Sequence, residues 1–117
     1  MRSPEPLRAA RTESLFRDVN ERIAEAAQGL HTSYAEFVCE CADPTCDERF
    51  PAQLEEYETV RADGRRFLVV PGHEEPSLER VVDVEADHRV VQKDEDDRVE
   101  REVLELDPRT DGVGPTR

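Results

Sequence analysis

The sequence predicts a single small α+β domain with two main helices, a small antiparallel sheet and a zinc knuckle. Three observations lead there. Apolar residues recur at helical spacing from Leu15 to Ala27, short β-branched runs occupy residues 67–91, and the only cysteines gather as Cys39-x-Cys41-x4-Cys46. At 117 residues the chain fits one domain, and its core is small: 36% of residues are apolar, with no tryptophan. The charged fraction is 38%, well above the roughly 25% of ordinary soluble domains. A domain with so little to bury gains from a metal cross-link that offsets chain entropy.

Residues 1–11 hold prolines and arginines without an apolar period and read as a disordered leader. The domain proper is expected over residues 12–93. In the first helix, Leu15, Phe16, Val19, Ile23, Ala26 and Ala27 form the stripe expected to face the core, or in part a homodimer. Arg17, Asp18, Glu21, Arg22 and Glu25 fall on the other side, Thr12 is the expected cap, and Gly29 the expected left-handed stop.

Ala35 to Cys39 reads as a strand that delivers Cys39 to the knuckle. Asp43-Pro44 supplies the first two positions of a type I turn, which brings Cys46 back toward Cys41. Because alternate residues of an extended strand are too far apart to share one ion, the chain is expected to bend near Glu40 and Cys41. Pro51 marks the start of a second helix to about Ala62, with Leu54, Tyr57 and Val60 inward, and Asp63-Gly64 ends it. The continuous apolar run Phe67-Leu68-Val69-Val70 reads as a central strand covered on both faces. Val81 to Val84 and Arg89 to Val91, separated by Glu85-Ala86-Asp87-His88, read as a hairpin. Residues 94–117 form an acidic tail, helical where Val99, Val103 and Leu106 share a face and disordered beyond Pro108.

Thiolates are soft donors suited to zinc, and a tetrahedral site built on three of them needs a fourth ligand. His73, in Pro71-Gly72-His73, is placed just past a strand end where glycine lets the backbone approach closely, so the expected set is Cys39, Cys41, Cys46 and His73. His31 and His88 are the competing fourth ligands. Cys39 and Cys41 lie too close for an unstrained disulfide, and three cysteines cannot all pair, which favours a reducing, cytoplasmic setting. No leader has an apolar core and no run approaches the length of a membrane span.

No zincin, nucleophile-elbow or phosphate-loop motif is present, and the paired acids are too numerous to nominate a catalytic one. Net charge of −13 opposes binding to phosphate backbones and favours a basic protein partner, the chain being a monomer or weak homodimer. The reading is a noncatalytic, zinc-stabilised interaction or regulatory module. Its rivals are a thiol-redox or zinc-release switch and a small zinc hydrolase.

The segments Phe16-Arg17-Asp18-Val19-Asn20-Glu21-Arg22-Ile23, Phe37-Val38-Cys39-Glu40-Cys41, Glu56-Tyr57-Glu58-x-Val60-Arg61 and Phe67-x-Val69-x-Pro71-Gly72-His73 resemble small uncharacterised proteins of actinobacterial-type, GC-rich genomes. The resemblance covers residues 14–93. It implies that the three cysteines and the histidine of Pro71-Gly72-His73 belong to one motif set, and it implies no activity.

Overall fold

A computed structural model describes residues 5–111, so the expectations for the first four residues and the last six lie outside it. The elements are α1 (Pro6–Gly29), β1 (Tyr34–Val38), β2 (Arg49–Gln53), α2 (Leu54–Arg61), β3 (Arg66–Val69), β4 (Glu79–Val84), β5 (Arg89–Lys93), α3 (Asp97–Glu105) and α4 (Pro108–Asp111). β1 and β2 form an antiparallel pair, and a second antiparallel sheet has the order β3-β5-β4. The α+β class is as expected. The central strand is β5, whereas Phe67 to Val70 was expected in the middle; β3 instead has a free edge that the knuckle covers.

The second sheet separates two apolar clusters by the two-residue period of its strands. Phe67, Val69 and Val91 face Ala10 of α1 and Val99 and Val103 of α3, together with Cys39 and Cys41. Leu68 and Val90 face Phe37, Phe50, Tyr57 and Val60. The rings of Phe37 and Tyr57 stack there at 4.6 Å. Burial on both faces explains why Phe67 to Val69 reads as an unbroken apolar run.

Helix α1 departs from its sequence reading in extent and in phase. It begins at Pro6, not Thr12, because Glu5 caps it, its carboxylate accepting from the N–H of Leu7 and Arg8, and proline suits the first turn. It stops without a left-handed Gly29. The residue with positive φ is His31, whose N–H donates to Gln28 O while that of Thr32 donates to Ala27 O, the paired bonds of a Schellman ending. Of the expected apolar stripe, Leu15 is 67% exposed and Val19 44%. The buried face carries Glu13, Ser14, Arg17, Asn20, Ala24 and Ala27.

Of the polar residues on that face, Glu13, Arg17 and Asn20 meet partners, whereas the Ser14 hydroxyl has none among the described residues. Arg17 donates to the carbonyls of Gly64 at 2.7 Å and Val103 at 2.8 Å, and its guanidinium lies 4.4 Å from the centre of the Phe67 ring. Asn20 donates to Val38 O and accepts from Val38 N–H, docking α1 onto the end of β1. Glu13 accepts from Lys93 at 2.7 Å, and Lys93, the chain's only lysine, also reaches Glu79 at 3.3 Å. Buried polar groups are tolerable when paired, and an apolar period cannot register the pairing.

Three further elements differ from the sequence reading. Pro51 does not start a helix; it sits in β2 opposite Glu36, and α2 begins at Leu54 with a Gln53–Glu56 capping box. Helix α3 is part of the domain instead of a tail, since Val99 and Val103 enter the core and Asp96 caps it. Asp107, just beyond α3, lies buried against Arg61, which also donates to Glu21. Pro108 opens the one-turn helix α4 where disorder was expected.

The Glu13–Lys93–Glu79 triad carries a pH signature. Burial pushes the Glu13 carboxyl from its ordinary 4.5 up to about 8, against the pull of Lys93. A raised folded-state value favours folding while the acid is protonated, and that contribution is lost as pH rises from 4.5 through about 8. Glu13→Gln keeps the hydrogen-bonding shape without the titration. Denaturant midpoints of wild type and variant, measured from pH 5 to about pH 8, are expected to diverge, the wild type losing stability relative to the variant as pH rises. A constant difference would refute this assignment.

Candidate metal centre

The chain crosses between the two sheets at Cys39 and Glu40. Cys39 N–H donates to Glu48 O, prolonging the β1–β2 pair by one bond, and Glu40 N–H donates to Leu68 O of β3 at 2.8 Å. The fully buried Glu40 carboxylate turns back to accept from Leu68 N–H at 3.0 Å and from Asn20 at 2.7 Å. One residue thus satisfies both backbone groups of Leu68 on the outer edge of β3. Cys39 Sγ accepts from the next outward N–H, that of Val70, at 3.2 Å. The edge of β3 is therefore covered by the knuckle itself.

Beyond Cys41 the turn expected from Asp43-Pro44 forms. Cys46 N–H donates to Asp43 O at 3.0 Å, and the Asp43 carboxylate accepts from both the N–H and the hydroxyl of Thr45. Cys46 is returned toward Cys41 as the spacing required. From the opposite side, β3 ends in Val70-Pro71-Gly72-His73, where His73 N–H donates to Val70 O at 2.9 Å and Gly72 has φ +94°. Proline second and a left-handed glycine third is the signature of a type II turn. Its product is an imidazole folded back over the end of β3.

These two turns bring Cys39, Cys41, Cys46 and His73 together, with one ligand atom from each lying within 4.8 Å of all the others. Nδ1 of His73 is 3.5 Å from Cys39 Sγ and 3.6 Å from Cys46 Sγ. A tetrahedral ion with metal–sulfur bonds of about 2.3 Å and a metal–nitrogen bond of about 2.0–2.1 Å sets sulfur and nitrogen about 3.5–3.6 Å apart. The donor set fits such an ion, with Nδ1 as the ligand atom. His31 lies exposed at the end of α1, and His88 is buried against Phe50 with ring centres 5.1 Å apart; neither belongs to the cluster.

The three thiols differ in proton affinity. Contact with Cys39 holds the Cys41 thiol down to about 5, and the same contact, with burial, drives Cys39 up. Burial also raises Cys46, the one thiol of the three that remains partly exposed. The four residues expected from the sequence are the four that lie together. Sequence reasoning missed Glu40 and Asn20, the polar pair that fixes the knuckle to β3 and α1, because neither stands out in a chain this rich in acids.

No protein-family model, curated protein or solved structure matches the chain. Among the described residues no helix is long and apolar enough to cross a membrane.

Gly72 tests the geometry without touching a ligand. A Cβ at this position would meet no atom within 4 Å, so Gly72→Ala acts only through its positive φ. The expected cost is about 1–2 kcal/mol in a denaturant titration. A variant as stable as wild type would show that the turn is not left-handed at this residue.

Proposed function

We propose that the protein is a noncatalytic zinc-binding interaction or regulatory module in which the ion is structural. The single observation that carries this reading is the gathering of the three sulfurs and the His73 imidazole within 4.8 Å, with two sulfur–nitrogen distances of the size a tetrahedral shell requires. Three thiolates and an imidazole favour zinc over harder cations. Four protein donors leave no position for an activated water, which supports a structural ion over a hydrolytic one.

Position in the fold supports the same role. Cys39, Cys41 and Cys46 lie in the connection between the two strands of the first sheet and His73 follows a strand of the second, so the ion would tie the two sheets together. A chain with a small core gains most from such a tie. Cys39 and Cys41 are buried at 1% and 2% exposure, which favours a lasting structural ion over an oxidation-driven release. A reducing, cytoplasmic setting suits three unpaired thiols. The charge of −13 supports a basic protein partner and opposes nucleic acid.

Metal analysis of the purified chain is expected to find about one zinc per protein, as a single tetrahedral site requires. At free zinc about 1,000 times Kd, linkage adds about 4 kcal/mol, so chelation is expected to lower Tm by on the order of 10–20 °C. His73→Ala is expected to weaken zinc binding about tenfold or more. Full zinc affinity in that variant, or an unchanged Tm after chelation, would overturn the reading. Rapid alkylation of all three thiols in the zinc-loaded protein would favour the release switch instead.

A further inference from the structure

His88 is buried away from the cysteine cluster. It is 3% exposed, its ring packs on Phe50, and its Nδ1 has no hydrogen-bond partner among the described residues. The ring borders a hollow of about 140 Å³ whose other walls include Glu56 of α2, Asp83 of β4, Glu85 of the β4–β5 turn, and the apolar side chains of Val60 and Val90. Asp83 reaches this side because of a bulge. Val81 pairs with Val91 and Asp83 with Val90, so the extra residue Val82 turns Asp83 onto the face opposite Val81.

The hollow has negative charge without a counter-ion. Among the described residues no lysine or arginine lies within ion-pair distance of Glu56, Asp83 or Glu85. Arg89 is the nearest arginine in sequence, and its Nη1 donates to the carbonyls of Glu85 and His88. Asp83 and Glu85 lie close enough that their contact raises the Glu85 carboxyl above its ordinary value. Burial lowers His88, so the imidazole is neutral and supplies no balancing charge. Two of the carboxylates are steadied by the backbone, Glu56 accepting from Gln53 N–H and Asp83 from Val84 N–H.

We infer that this hollow is a binding site for an alkylammonium group, the chemistry of a lysine side chain. The methylene stem lies against Val60 and Val90, and the ammonium donates to the contacting carboxylates of Asp83 and Glu85, with Glu56 adding negative charge across the hollow. Size agrees, since a cavity of about 150 Å³ accommodates benzene, which has more heavy atoms than a lysine head and stem. A bare metal ion is a poor occupant, because the three carboxylates and His88 do not converge to ligand spacing as the cysteine cluster does. The site shares no residue with that cluster and stands whether or not zinc is bound there. It gives the acidic surface a defined contact for a basic partner.

The test follows the ring resonances of His88 by NMR in the full-length, zinc-loaded protein. One titration uses spermidine and another an acetylated, amidated lysine peptide; magnesium chloride serves as the third arm. Saturable shifts with spermidine alone identify a free amine as the ligand, and shifts with the peptide identify a lysine-bearing partner; either supports the site. The double variant Asp83→Asn with Glu85→Gln removes one exposed and one half-buried charge, and it is expected to weaken binding about tenfold or more. No shift with either amine, equal displacement by magnesium, or undiminished binding in the double variant would overturn the proposal.

Discussion

The outer edge of β3 has to be covered, and the way it is covered organises the molecule. A short strand with both faces buried still presents unpaired N–H and C=O groups along its free edge. Glu40 meets Leu68 with its own N–H and its carboxylate, and Cys39 meets Val70 with its sulfur. The residues that do this stand beside, or are, the proposed ligands of the metal centre. Fold closure and the candidate metal site therefore depend on the same stretch of chain, and a change that displaced Cys39 would expose the edge as well as disperse the cluster.

Helix α1 is held to this junction by polar contacts. Asn20 binds both backbone groups of Val38 and the Glu40 carboxylate, while Arg17 ties the helix to Gly64 and to the end of α3. Breaking one member of such a buried set leaves its partner unpaired and costs more than the intact contact contributes. That asymmetry makes the arrangement specific: α1 docks in one register because other registers strand Glu40, Arg17 or Glu13. Leu15 and Val19 face outward as a consequence.

Local chemistry was legible in the sequence, and long-range pairing was not. Asp43-Pro44 and Pro71-Gly72 each specify a turn through the φ of one or two residues, so both ends of the metal centre were readable. The β4–β5 hairpin was readable from its β-branched runs, although the bulge at Val82 left no mark in the pattern. Helix α1 was misphased because its buried face is polar, and the partners that make this tolerable lie far away in sequence, Lys93 being 80 residues from Glu13. β2 was missed because Pro51 and Ala52 resemble a helix start; pairing with β1 decides the matter. Helix α3 looked like a tail because acids surround Val99 and Val103, yet those two valines complete the cluster around Phe67.

Three sulfurs and one imidazole nitrogen are proposed to close around a single ion, and X-ray absorption at the zinc edge of the protein as isolated reads that shell directly. Such a shell gives three sulfur scatterers at about 2.3 Å and one imidazole nitrogen at about 2.0–2.1 Å, with the outer-shell pattern of a histidine ring. A shell holding two sulfurs or fewer, or oxygen in place of imidazole, would contradict it.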